Sequence, residues 1–135
     1  MTKRPTWHLS LLLNAWSFAA CCAALSHLFL PLWTAQGTVW PSSANWQREI
    51  AYFDLLLSAA FVWIARQPDT NLKIKAFWAI AFLSIALGHN HLQGWGANVS
   101  EPKPFHIVFS LGNLLALVWA AGCLIYERVW QPNRY

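Results

Sequence analysis

Apolar residues fall in four long runs, near 9–32, 50–66, 76–94 and 105–126, parted by short segments rich in proline, glycine and charge. A helix needs roughly 20 apolar residues to cross the hydrocarbon of a bilayer. The pattern therefore predicts an all-α chain, an integral membrane four-helix bundle forming one membrane domain over residues 1–135. The first run follows Met-Thr-Lys-Arg-Pro, a signal-like start. It continues well past the ~7–15 apolar residues of a signal core, so it reads as a retained helix. The second is slightly short of a full span unless Gln47 to Glu49 or Arg66 extend it by snorkelling.

The connections have distinct readings. Residues 33–49 read as a surface loop, because Pro31, Gly37 and Pro41 stop helices and the indoles of Trp33, Trp40 and Trp46 suit a headgroup zone. Residues 66–75 form a short polar turn. The third run closes on Leu-Gly-His-Asn-His-Leu-Gln-Gly-Trp at 87–95, where Gly88 is expected to weaken the helix and its last turn to unwind. Ala15, Ala19 and Ala23 on the first helix, and Gly112, Ala116 and Ala120 on the fourth, predict stripes on which neighbouring helices pack closely.

Composition strengthens the membrane reading. Hydrophobic residues make up 57% of the chain and charged ones 10%, too much apolar surface for 135 residues to bury in water. The net charge of +4 is strung between the apolar runs and forms no patch, which argues against nucleic acid. Cys21, Cys22 and Cys123 have no metal-type or scaffold spacing, and are expected to be free thiols. In a four-pass arrangement Lys3, Arg4, Arg66, Lys73, Lys75, Arg128 and Arg134 fall on one side, and Arg48 and Lys103 on the other. The positive-inside rule then places both termini in the cytoplasm. The expected location is a cell membrane crossed several times, the inner membrane of a bacterium.

That topology carries the candidate chemistry. His27, Asp54, His89, His91 and His106 all fall toward the outer leaflet, with Asn113 one to two turns deeper on the face of His106 and Ser110. An aspartate at a helix centre costs ~2.5–3.5 kcal/mol on insertion scales, so such a residue normally faces protein or water and has a partner. The six are therefore expected to converge as a ligand-binding pocket with Asn113 as its floor. Histidines with a carboxylate suit a metal ion, for which the candidate ligands are His27, Asp54, His89, His91 and His106. The same groups suit proton exchange with a quinone. His89 and His91 lie about 200° apart on an ideal helix, so only one of them faces the interior unless the helix breaks at Gly88.

Four short spans, both termini inside, short loops and an end near residue 135 give a layout that resembles the small bacterial membrane proteins of the DoxX-like type. That resemblance covers the whole chain by layout, and it implies a membrane subunit associated with redox or quinone chemistry. The layout is also similar to the four-pass sterol-isomerase-like fold, whose paired acidic residues this chain lacks. Three functions stay open: a redox-linked module whose pocket holds a metal, a quinone or another amphipathic ligand; an enzyme using Asp54 and a histidine as acid and base on a lipid-soluble substrate; and a structural subunit. The expected partners are the lipid bilayer and a membrane protein or further copies of this chain.

Overall fold

The computed structural model describes residues 6–41 and 43–130, and it is all-helical over them. Lys3, Arg4 and Arg134 of the charge count lie outside the described residues. Five helices follow one another: α1 (Trp7–Phe29), α2 (Pro31–Gln36), α3 (Ala44–Arg66), α4 (Thr70–Gly96) and α5 (Pro104–Trp130). Three of them, α1, α4 and α5, are long and apolar enough to cross a membrane. The remaining long helix, α3, matches α1 in length but carries Arg48, Glu49 and Asp54.

Local chemistry sets the boundaries. The pyrrolidine of Pro31 pushes Leu30 out of the helical region, which ends α1. The same proline then starts α2, because its missing N–H falls where a helix has no acceptor for it. At the start of α3 the Ser43 hydroxyl accepts from the Trp46 N–H, and at the start of α4 the Asp69 carboxylate accepts from Asn71 and Leu72. The segment expected to be one loop over 33–49 thus holds most of α2 and the first turns of α3. Gly88 does not break α4, which runs unbroken to Gly96 with no left-handed glycine. Gly88 faces Asn113 at close range, so its missing Cβ serves helix contact.

The helices pack as two antiparallel pairs, α1 with α3 and α4 with α5. The first pair is in contact from end to end: Ser10 donates to the Ala65 carbonyl, Ser17 meets Ser58 at 2.9 Å, and His27 approaches Gln47. Its close face is Ser17, Ala20 and Ala24 against Ala51 and Ser58, whereas Ala15 and Ala19 of the expected stripe are exposed. On α5 the expected stripe holds in part, with Ala116 half-buried and Ala120 in the core. Gly112 has open space around it, and the buried line runs through Ala120, Cys123 and Glu127. The three cysteines are free thiols.

The two pairs join through one apolar core. Leu9, Leu12 and Leu13 of α1, Phe61 and Ala65 of α3, Ala76, Phe77 and Ile80 of α4, and Ala120 and Cys123 of α5 make it. All lie in the half nearer the chain termini. In the other half, toward α2, the inward line of α5 continues through Ser110, Asn113 and Ala116, which stay half-buried. The interior is closed at the terminal end and looser at the α2 end.

Candidate functional site

The site grows from a glycine. Gly37 ends α2 where a Cβ would overlap the Phe105 ring, and its carbonyl accepts from the Phe105 N–H at 3.1 Å. This contact pins the α2–α3 connection onto the start of α5 and lays Val39 and Trp40 over the next turn. The Val39 N–H then donates to His106 Nε2 at 3.0 Å. His106 is fully buried, and a Cβ on Gly94 of α4 would overlap its ring, so only glycine leaves room for it there. Across the α4–α5 contact its Nδ1 lies 3.2 Å from Nδ1 of His91.

These bonds fix the protons. A backbone N–H can only donate, so His106 Nε2 accepts and carries no hydrogen. Its Nδ1 is therefore the N–H nitrogen, and it donates to His91 Nδ1. His91 in turn carries its hydrogen on Nε2, the one ring N–H of the pair that no described residue receives. The chain is directional, from backbone to buried imidazole to half-buried imidazole, and it ends on an N–H that no described residue accepts. Aromatic rings wall it. Trp40 lies 4.9 Å from the His91 ring and 4.6 Å from His106, Phe109 lies 5.0 Å from His91, and Trp33 packs on Phe105 at 4.5 Å.

The other expected site residues are distributed differently. His27 approaches Gln47 at 3.4 Å, in a second knot in which Gln47 accepts from Thr34 at 2.6 Å and donates to the Pro31 carbonyl at 2.9 Å. This knot ties α2 to the α1–α3 pair. His89 is exposed, while His91 faces inward, as the angular spacing requires on an unbroken helix. Asp54 is half-buried on the inward line Gln47, Ala51, Asp54, Ser58, Phe61 and Ala65. Asn113 donates to the Phe109 carbonyl of its own helix at 2.8 Å.

Among the described residues no three His, Cys, Asp or Glu side chains converge on a metal-sized point. The hydrogen bonds give the reason for His91 and His106. Both ring nitrogens of His106 are engaged by protein, and His91 has a single nitrogen left. The expected five-residue metal set is thus divided between the imidazole pair, the Gln47 knot, the exposed His89 and Asp54.

A further polar layer lies at the terminal end, where the sequence suggested only loop charges. His8 Nε2 meets Glu127 at 2.8 Å, and Glu127 is 1% exposed. Lys73 is buried too, its ammonium donating to Ser10 at 2.8 Å and to Thr6 at 3.4 Å. The seven-residue spacing from Ala120 to Glu127 on the inward line of α5 was the available signal. Nothing in the sequence marked Val39 or Trp40 as partners of a histidine, because that contact depends on how the connection folds back. No family model, curated protein or solved structure matches this chain.

Proposed function

We propose that the chain is a four-pass membrane protein, with both termini cytoplasmic, that binds a lipid-soluble carbonyl ligand of the quinone class at the outer-leaflet mouth formed by His91, Trp40 and Phe109. The observation that carries this reading is the directional imidazole chain, which ends in one N–H without a described acceptor, on a ring flanked by Trp40 and Phe109. A donor with flat apolar walls complements a planar carbonyl, not a cation or a metal. The expected redox association, and the DoxX-like layout that implied it, agree with a quinone-type ligand.

The pairing of α3 with α1 supports four crossings. Because α3 lies along α1 from Ala65 to Gln47, a membrane that contains α1 contains α3 as well. Asp54 then faces the interior and not the lipid, while Arg48 and Arg66 reach the two interfaces.

Equilibrium binding of a tritiated short-chain benzoquinone to the protein in lipid nanodiscs tests the reading. Binding should saturate, and His91→Phe should weaken it about tenfold, the loss of one hydrogen bond from a desolvated site. Equal binding by parent and His91→Phe would overturn the assignment and leave the imidazole pair as a plug that fixes helix register in a structural subunit.

A further inference from the structure

The face that α1 turns away from its neighbours carries an amide. Asn14 is exposed there and makes no hydrogen bond with a described residue, whereas Asn113 of α5 bonds the Phe109 carbonyl of its own helix. Two short contacts in the α1–α3 pair set its depth. Ser10 reaches the Ala65 carbonyl at 3.0 Å and Ser17 meets Ser58 at 2.9 Å, so Asn14, between them on α1, lies opposite the stretch of α3 where Phe61 enters the core. It is one turn inward of the Ser10–Ala65 contact and seven residues, about 10 Å, beyond Trp7 at the start of α1. A side chain as short as asparagine cannot snorkel over that distance, and lipid offers it neither donor nor acceptor.

The residues around this amide form a seam. Leu11, Asn14, Phe18, Cys21 and Leu25 recur at alternating steps of three and four, the spacing on which two helices interlock along their length. All are exposed except Cys21, which is half-buried. Ala15, next to Asn14, is small and exposed, so a second helix can approach the amide closely. Copies inserted with one topology stand parallel, and a two-fold axis along the membrane normal brings residues of equal depth on α1 together. Asn14 then meets Asn14 of the second copy. An amide both donates and accepts, so such a pair satisfies itself, each Nδ2 donating to the other Oδ1. The exposed face of α5, with Val108, Leu111, Leu115 and Val118, holds no such group, and lipid is sufficient to cover it.

We propose that the outer face of α1 is the interface of a parallel homodimer, held by a reciprocal hydrogen bond between the Asn14 amides of two copies. The apolar seam residues supply the packing, and the amide pair fixes which residues face each other, because any shift along the seam leaves both amides unpaired. The interface includes no residue of the mouth. It rests on α1 crossing the membrane and not on what the mouth binds.

Energy transfer between donor-labelled and acceptor-labelled copies in liposomes, followed as the protein-to-lipid ratio is lowered, is the test. The parent should associate, and Asn14→Leu should need roughly tenfold more protein per lipid for half-maximal transfer. Asn14→Gln, which keeps an amide, should stay within a few-fold of the parent. Insertion is not at risk, since Asn14→Leu makes the span more apolar. Oxidative cross-linking in a chain whose three cysteines are replaced by alanine locates the face: Leu11→Cys should link copy to copy, and Val118→Cys on α5 should not. Transfer by the parent no greater than that of randomly distributed chains, equal titrations for parent and Asn14→Leu, or a Val118→Cys link as efficient as that of Leu11→Cys would overturn the assignment.

Discussion

At the scale of single residues the glycines separate two uses of a missing Cβ. Gly94 sits against the His106 ring and Gly112 has nothing near it, although both are helical. Alanine at 94 must push the imidazole aside, and overpacking of a filled interior costs about 1–3 kcal/mol. Alanine at 112 meets only open space and removes the conformational freedom of a helical glycine, worth about 0.5–1 kcal/mol in the other direction. Thermal unfolding in mild detergent should therefore lower the midpoint for Gly94→Ala and hold or raise it for Gly112→Ala. Equal midpoints would mean that His106 is not seated against α4. Trp40 makes a separate prediction: Trp40→Ala should weaken quinone binding several-fold with little loss of stability, because its ring walls the mouth without belonging to the core. A drop in midpoint as large as that of Gly94→Ala would instead assign Trp40 to packing.

At the scale of elements, α2 and its connection are the parts that build the site. The knot at Gln47 holds them, with Thr34 donating to its oxygen and its amide donating to Pro31. Gln47→Leu keeps the volume but removes two hydrogen bonds that tie α2 to α3, leaving the Thr34 hydroxyl only the Leu30 and Pro31 carbonyls of its own turn, at a cost of about 1–3 kcal/mol. Limited proteolysis between residues 37 and 43 should accelerate in that variant, and quinone binding should fall with it. Proteolysis unchanged from the parent would show that the contacts of Gly37 with Phe105 and of Val39 with His106 hold the connection without Gln47. The long helices were legible in the sequence because apolar runs of bilayer length admit few other readings. The short helix was not, since Pro31 reads as a stop from the α1 side and acts as a start on the α2 side. His91 and His106 were legible as costly polar groups in apolar runs. Their grouping was not, because helix pairing decides which of several candidates at similar depth touch. Asp54 and Asn113 were visible for the same reason as the histidines.

At the scale of the whole molecule the interior changes character along its length. The α2 end carries imidazole, amide and carboxylate groups, the core below Trp16 is apolar, and the terminal end closes with His8, Lys73 and Glu127. Such an interior is sided, and its side is set by charge. Within the described residues Arg66, Lys75 and Arg128 lie at the terminal end with the buried Lys73, against Arg48 and Lys103 at the α2 end, and in the sequence Lys3 and Arg4 precede α1 and Arg134 follows α5. Lys73 is held inside by Ser10 and Thr6, so part of its weight in the charge rule is transferred to the fold, and the bias survives without it. Reporter fusions at Asn71 and Tyr135 should therefore read cytoplasmic, and fusions at Ser43 and Asn98 should read outside. The Asn98 fusion is the decisive one, because it follows α4 and precedes α5, the pair that carries His91 and His106. A cytoplasmic signal there would invert α4 and α5, move the mouth to the inner leaflet and remove access from the outer side. An external signal, with Asn71 inside, would establish four crossings and place Asp54 within the hydrocarbon, where its half-buried position on the face that α3 turns to α1 keeps the carboxylate from lipid.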